Sequence, residues 1–174
     1  MKFDLKSKIR VIDDFPKEGI SFKDITTLLL EPAAFHQAID MMEEELKDLD
    51  FDIILGPEAR GFIVGAPLAY KMNKAFIPVR KEGKLPAETV SKTYELEYGT
   101  DAMFIHKDSV KKGDKVVLID DLLATGGTIR ALRELLESVG AEVVKAVFLI
   151  ELTGLKARDK LPGLDVHSLV QYEF

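Results

Sequence analysis

The sequence predicts an α/β fold in which helices flank a central, mostly parallel sheet. Short apolar segments rich in β-branched residues recur at 51–55, 75–79, 116–119 and 143–150, as is typical of strands buried on both faces. Helical apolar patterns separate most of these segments. Strands that alternate with helices favour a parallel sheet, because parallel neighbours need a crossover connection.

The composition indicates one globular domain that spans residues 1–174. Hydrophobic residues make up 47% of the chain, and 24 basic against 30 acidic residues give a net charge of −6. That charge argues against the basic surface of a nucleic-acid-binding protein. The chain has no cysteine, no apolar signal segment and no apolar run near the roughly 18 residues of a membrane span. We therefore expect a cytoplasmic protein without nucleic-acid or membrane partners.

Three helices are expected in the first half of the chain. Residues 3–12 show the spacing of a short helix, and a longer helix begins after Pro32. A further helix covers 61–72, but an interior proline costs about 3 kcal/mol. Pro67 is therefore expected to delay the regular part of that helix to about residue 65.

In the second half, residues 80–101 are polar and weakly patterned, which is typical of a functional lid or a disordered loop. The elements expected after this stretch are a strand at 102–106, a helix at 129–139 that ends at Gly140, a short helix or turn at 153–158, and a strand at 166–170.

The stretch from Val116 to Thr128 has the pattern of a phosphate site. An apolar strand is followed by Asp120 and Asp121, then by the small residues Ala124, Thr125, Gly126, Gly127 and Thr128, and then by an amphipathic helix. Glycines and a helix N-terminus place backbone N–H groups around an anion. An ordinary strand-turn-helix unit explains the glycines but not the two carboxylates, which suit sugar hydroxyls or Mg²⁺. We therefore expect a phosphorylated sugar as the ligand.

Two further segments follow predicted strands, at the edge where parallel sheets bind ligands. Arg60, in Gly56-Pro57-Glu58-Ala59-Arg60-Gly61-Phe62, is suited to bind an anion, although it could also pair with Glu58 on the surface. The second segment begins at Arg80 and contains Lys81 and Lys84. These cations could close over a polyanion or form a solvated face.

These segments resemble type I phosphoribosyltransferases, and among them the members that act on adenine. Residues 117–128 resemble the family motif for phosphoribosyl diphosphate (PRPP). The other matching segments are Glu-Ala-Arg-Gly-Phe at 58–62, Arg-Lys-Glu-Gly-Lys-Leu-Pro at 80–86 and Tyr-Glu-Leu-Glu-Tyr-Gly at 94–99. The resemblance implies the type I phosphoribosyltransferase fold, with an N-terminal hood at about 1–32 and a flexible lid loop at about 81–101.

The resemblance also implies an activity in purine salvage. The 5-phosphoribosyl group of PRPP would pass to adenine, giving AMP and diphosphate, with Mg²⁺ as cofactor. The family implies a homodimer in which a basic residue of the 80–84 segment lies near the neighbouring site. It implies a cis peptide bond between Glu58 and Ala59.

The resemblance assigns roles residue by residue. Glu97 would be the general acid/base, although pattern alone makes it a solvated glutamate. PRPP would contact Arg60, Arg80, Lys81, Lys84, Tyr98, Asp120, Asp121 and the loop Ala124, Thr125, Gly126, Gly127 and Thr128. The resemblance implies no direct metal ligand from the protein, since PRPP would hold most of the Mg²⁺ shell and Asp120 and Asp121 would act through water.

Adenine would lie between the hood and the strand end at Leu152. Ser21, Phe22 and Lys23 match the family's hood segment, in which the aromatic ring stacks on the base. Pattern alone makes Phe22 a satellite of the core. Lys23 stands where arginine is common, and lysine keeps the charge but loses the planar fork.

Two other functions remain open from the sequence. One is transfer to a 6-oxopurine, such as hypoxanthine, guanine or xanthine. The other is a PRPP-sensing transcriptional regulator, which would need a basic DNA-binding extension. The three histidines are scattered without ligand spacing, so no zinc site is predicted.

Overall fold

The structure is a computed structural model that describes residues 2–96 and 99–173. Its strands and helices, in chain order, are β1 (Arg10–Ile12), β2 (Phe22–Asp24), α1 (Thr26–Leu29), α2 (Pro32–Leu46), β3 (Ile53–Pro57), α3 (Arg60–Met72), β4 (Ala75–Val79), β5 (Thr89–Glu95), β6 (Thr100–His106), β7 (Lys115–Leu123), α4 (Gly127–Ser138), β8 (Glu142–Leu152) and β9 (Val166–Tyr172). Short 3-10 helices lie at Leu5–Lys8, Lys107–Ser109, Thr153–Leu155 and Ala157–Lys160.

Five parallel strands form the central sheet, in the order β4-β3-β7-β8-β9. This arrangement confirms the predicted fold class. Successive residues of β7 point to opposite faces, so Val116 and Leu118 pack on one side and Val117 and Ile119 on the other. The first side is covered by α4 and by the β5-β6 hairpin, and the second by α2, α3 and the N-terminal segment. No helix in the described ranges is long and apolar enough to cross a membrane.

Two small antiparallel sheets stand apart from the central one. In the N-terminal region β1 pairs with β2. Of the short helix predicted over 3–12, the structure forms only the 3-10 helix Leu5–Lys8, and Arg10–Ile12 are the strand β1. Strands β5 and β6 form a hairpin, so residues 89–95 and 100–101 of the predicted lid loop at 81–101 are strand residues. The polar composition hid the fact that Val90 and Tyr94 lie on one face of β5 and pack against the core beside α4.

Helix α3 corrects the expectation for Pro67. The helix begins at Arg60 and continues through the proline. Pro67 is only half-buried, whereas Val64, Leu68 and Ala69 are buried on the same helix. The apolar contacts of that buried face offset the loss of one backbone hydrogen bond.

Strand β7 is also longer than predicted. It was expected to end before Asp120, but it extends to Leu123. Backbone pairing with β8 holds this extension, since Asp120 pairs with Phe148 and Leu123 with Glu151. Both aspartates therefore lie on a rigid strand and not in a loop.

Candidate active site

The carboxyl ends of β3, β4 and β7 lie side by side and open into one cavity. The parallel register places Pro57 of β3 beside Val79 of β4, so the residues that follow these strands are neighbours. The cavity has a volume of about 130 Å³, and its lining includes Glu58, Arg80, Lys81, Tyr94, Asp120 and Thr128. Residues from four of the predicted segments thus line the same cavity.

The two aspartates of β7 differ in environment. Asp120 lines the cavity, and its Oδ1 accepts a hydrogen bond of 2.8 Å from the backbone N–H of Asp121. Asp121 is buried, with its Oδ2 3.1 Å from Nε of Arg60. Burial, with the negative charge of Asp121, raises the pKa of Asp120 well above its usual value. A ligand that brings positive charge or hydroxyl donors to Asp120 would relieve this repulsion.

The loop between β7 and α4 has the geometry of an anion site. Gly126 precedes the helix with φ of +85°, a conformation that favours glycine. A Cβ at this position would lie 3.0 Å from the carbonyl oxygen of Ala157, a close contact that also favours glycine. The first backbone N–H groups of α4 have no partner within the helix. They are therefore available to an anion beside Ala124 and Thr125.

The basic segment after β4 is paired with carboxylates. Nε of Arg80 donates to Oε2 of Glu58 at 2.7 Å, and the backbone N–H of Lys81 donates to Oε1 of Glu58 at 2.9 Å. Nζ of Lys81 forms an ion pair with Asp101, which also accepts a hydrogen bond of 3.3 Å from the hydroxyl of Tyr94. The hydrogen bond from Arg80 lowers the pKa of Glu58, and the one from Lys81 lowers that of Asp101.

Lys84 lies on the exposed turn that follows Lys81. It was predicted as a diphosphate ligand, and the structure places it outside the lining of the cavity within this chain.

The hood residues reach the same edge of the sheet. The guanidinium carbon of Arg60 lies 5.5 Å from the centre of the Phe22 ring. Lys23 is buried, and its Nζ donates to Oγ of Ser21 at 2.6 Å and lies 4.6 Å from the centre of the Tyr172 ring. Burial lowers the pKa of Lys23. Leu152 pairs with Tyr172 across β8 and β9. The predicted base-binding residues of the hood and of β8 are thus joined through Tyr172.

The remaining predicted features have different outcomes. The peptide bond between Glu58 and Ala59 is cis, as predicted. Glu97 and Tyr98 lie outside the described residues. Their roles stay predictions.

The sequence interpretation missed two acidic partners of the basic segment. Glu58 could have been found from the parallel register, which makes the residues after Pro57 and Val79 neighbours. Asp101 had no such signal, because its place opposite Tyr94 depends on the hairpin that the sequence did not predict.

The donor set of the site suits Mg²⁺ held through water. Oδ2 of Asp121 is a buried oxygen that forms an ion pair with Arg60 but accepts no hydrogen bond of good geometry from a described residue, and Asp120 adds a second carboxylate. Oxygen ligands of this kind are those that Mg²⁺ prefers, with several positions left to water and phosphate. Residues 2–96 and 99–173 contain no cluster of three or more His, Cys, Asp or Glu side chains that could hold a metal. The residues present therefore fit a metal ion that a phosphorylated substrate carries in.

Comparison with known proteins agrees with this geometry. A family profile described as the phosphoribosyl transferase domain matches residues 24–166. A protein of Alkaliphilus oremlandii named adenine phosphoribosyltransferase is 62% identical over 171 residues, covering 98% of this chain and 99% of that protein.

Two solved structures are similar along nearly the whole chain. The adenine phosphoribosyltransferase of Thermoanaerobacter pseudethanolicus has a TM-score of 0.94 at 56% identity, covering 97% of this chain and 98% of that one. The enzyme of Saccharomyces cerevisiae, in complex with adenine and an imino-altritol bisphosphate, has a TM-score of 0.89 at 39% identity, covering 95% and 96%. A matching family domain and relatives this similar over almost their full length show that the chain belongs to the adenine phosphoribosyltransferase family.

Proposed function

We propose that this chain transfers the 5-phosphoribosyl group of PRPP to adenine, giving AMP and diphosphate in purine salvage. The observation that carries the proposal is the position of Asp120 and Asp121. They lie on a rigid strand between Arg60 and the glycine loop at the start of α4. A phosphorylated sugar in this place would have carboxylates beside its hydroxyls. It would have N–H groups that bind anions at both of its charged ends.

The glycine loop would hold the sugar by its 5′-phosphate. Ala124, Thr125, Gly126, Gly127 and Thr128 would surround the phosphate with backbone N–H groups and hydroxyls. Asp120 and Asp121 would accept hydrogen bonds from the ribose hydroxyls. When bound with PRPP, Mg²⁺ would supply positive charge to the diphosphate and hydroxyl oxygens, with Asp120 and Asp121 holding it through water.

The opposite end of PRPP carries the leaving diphosphate. Substitution at the ribose carbon passes through a cation-like transition state, while negative charge grows on the diphosphate. Arg60, Arg80, Lys81 and Lys84 would stabilise that charge. Glu97 would manage the proton of the purine ring, and Tyr98 would contact PRPP as a residue of the lid. Closure would exclude the water that could otherwise hydrolyse PRPP.

Adenine would lie against the hood. Phe22 would stack on the base from one side, and Leu152 would face it from the other. Ser21 and Lys23 would contribute backbone groups, since the Lys23 side chain already contacts Ser21 and Tyr172. A site with apolar walls and backbone hydrogen-bonding groups suits an uncharged base such as adenine.

We further propose that the active form is a homodimer in the cytoplasm, organised as one domain with a hood and a lid. The exposed position of Lys84, outside the cavity lining of its own chain, supports a role near the neighbouring site.

The deciding experiment incubates the protein with Mg²⁺, PRPP and each of adenine, hypoxanthine, guanine and xanthine. Nucleotide formation with adenine alone is the expected result. Transfer to a 6-oxopurine in preference to adenine would move the assignment to another purine. A chain that binds PRPP but transforms none of the bases would be a sensor, and salt-dependent DNA binding would then be measured.

A further inference from the structure

An ion pair that none of the roles above uses joins β8 to the connection between β8 and β9: Arg158, which is exposed, pairs with the buried Glu151. Glu151 is buried at the end of β8. Nε of Arg158 donates to its Oε1 at 2.8 Å, and Nη2 donates to its Oε2 at 2.7 Å. The hydroxyl of Ser168 donates to the same Oε2 at 2.6 Å. A bidentate pair with a third donor restrains both side chains in one geometry.

Arg158 also ties its own segment to β9. Its Nη1 donates to the carbonyl oxygen of Val166 at 2.9 Å. Arg158 belongs to the 3-10 helix Ala157–Lys160, so the three hydrogen bonds fix that helix against two strands. The hydrogen bond from Arg158 lowers the pKa of Glu151, which keeps the pair charged at neutral pH.

The residue next to Arg158 supports the phosphate loop. Ala157 is buried, and a Cβ at Gly126 would lie 3.0 Å from its carbonyl oxygen and 3.1 Å from its Cβ. Gly126 is therefore packed directly on Ala157. A shift of the 3-10 helix would remove the surface on which the loop rests.

We propose that Glu151 and Arg158 are positioning residues that hold Ala157 as the support for Gly126, and so set the shape of the loop that takes the 5′-phosphate. The inference depends on the phosphate role proposed above for residues 124–128. The 5′-phosphate keeps its contacts from the bound substrate to the transition state. Loss of loop shape should therefore weaken PRPP binding more than it slows the chemical step.

The test compares Arg158→Met, which keeps much of the stem but no charge, with Arg158→Lys, which keeps the charge but not the fork. For Arg158→Met we expect KM for PRPP to rise by about tenfold or more, with kcat changed by less than about threefold. The KM of Arg158→Lys for PRPP should lie between that of Arg158→Met and that of the unchanged protein. The dissociation constant of ribose 5-phosphate, measured by calorimetry, should rise by the same factor, because this ligand has no diphosphate and no base.

Arg133→Met is the matched control. Arg133 also holds the β8-β9 connection, since its Nη1 donates to the carbonyl oxygen of Pro162 at 2.7 Å. It lies about two helical turns along α4 from Gly126, and none of its atoms is among those nearest to a Cβ at Gly126. We expect its KM for PRPP and its affinity for ribose 5-phosphate to be unchanged. An equal effect of the two methionine variants would mean that loosening the connection is enough, which overturns the inference.

Two other results would also overturn it. One is an unchanged affinity of Arg158→Met for ribose 5-phosphate. The other is an equal rise of KM for adenine, which would place the effect at neighbouring Leu152. If Arg158→Met does not fold, Arg158→Lys decides by the same two measurements. Failure of the unchanged protein to use adenine would reject the proposed function, whereas the ribose 5-phosphate measurement would still judge the positioning role.

Discussion

At the scale of single residues, Asp120 lies where its charge lowers the stability of the ligand-free protein. Its carboxylate is beside Asp121, and burial raises its pKa. When the folded pKa of an acid exceeds its unfolded pKa, ionisation favours the unfolded chain. The free energy of unfolding therefore falls as pH rises between the two pKa values, and the full loss is present above the folded pKa. A carboxylate that destabilises the ligand-free protein but is held on a rigid strand indicates a role in binding the ligand.

Asp120→Asn should therefore have opposite effects on stability and on activity. At neutral pH the melting temperature of the ligand-free protein should rise, because the repulsion with Asp121 is removed. The value of kcat/KM for PRPP should fall by about a hundredfold, in line with the loss of one preorganised electrostatic contact. Thermal unfolding and steady-state kinetics measure the two effects. Unchanged kinetics would refute the role of Asp120.

A distant aspartate provides the control for this experiment. Asp165 forms an ion pair with Lys145 at 3.3 Å, at the start of β9 and away from the cavity. Asp165→Asn should leave both kcat and KM unchanged.

Glu97→Gln tests the residue that the family resemblance assigns to proton transfer. Glutamine keeps the size of the side chain but cannot exchange the proton of the purine ring. We expect kcat to fall by about a hundredfold or more, with a smaller rise in KM for PRPP. Glu95→Gln, on the exposed end of β5, is the matched control and should behave like the unchanged protein. A rise in KM alone for Glu97→Gln would reduce the residue to a binding role.

At the scale of elements, the start of α3 presses against the acidic strand. A Cβ at Gly61 would lie 2.8 Å from Cδ of Pro57 and 3.2 Å from Oδ1 of Asp120. A Cβ at Gly65, one turn further along, would instead meet the ring of Phe76 at 2.7 Å. The two glycines allow the same close packing, but only the first one adjoins the cavity.

This difference gives a paired prediction. Gly61→Ala should lower the free energy of unfolding by about 1–3 kcal/mol through overpacking. It should also lower kcat/KM by about tenfold or more, because it displaces Asp120. Gly65→Ala overpacks the Phe76 side and should leave kcat/KM near that of the unchanged protein. Equal kinetic losses in the two variants would show that α3 as a whole, and not the contact with Asp120, governs the site.

The elements also show how far the sequence could be interpreted. Periodic apolar patterns predicted α2 and α4 because these helices bury one face and expose the other. The extension of β7 was missed because its hydrogen bonds come from β8, which local composition does not reveal. The same applies to β5, whose polar residues face solvent while Val90 and Tyr94 pack inward.

Site residues followed the same division. Arg60 and the glycine loop could be located because each follows a strand in a recognisable order of residue types. The pair between Glu151 and Arg158 could not, since the 3-10 helix Thr153–Leu155 separates the two residues and no sequence period links them. Contacts that arise only from the tertiary fold, and not from a regular spacing along the chain, cannot be predicted from the sequence and are seen only in the structure.

At the scale of the whole molecule, the proposed dimer can be tested by mixing inactive subunits. If Lys84 serves the neighbouring site, a Lys84→Ala subunit and an Asp120→Asn subunit should form one intact site when they pair. Random pairing in a two-fold dimer makes about half of the dimers mixed, so about a quarter of the full activity should return. The expected result is measured after the variants are unfolded together and refolded. No recovery, with dimers present, would place Lys84 in the site of its own chain.

The carboxylates that neutralise the basic residues have a consequence for turnover. Arg60 pairs with Asp121, Arg80 with Glu58, and Lys81 with Asp101. If diphosphate binds these cations as proposed, it would replace their present carboxylate partners, so each cation would have an anionic partner in both states. The exchange would keep the affinity for diphosphate below that of three unpaired cations. When the product leaves, the same carboxylates would pair with the cations again, which would favour release of diphosphate.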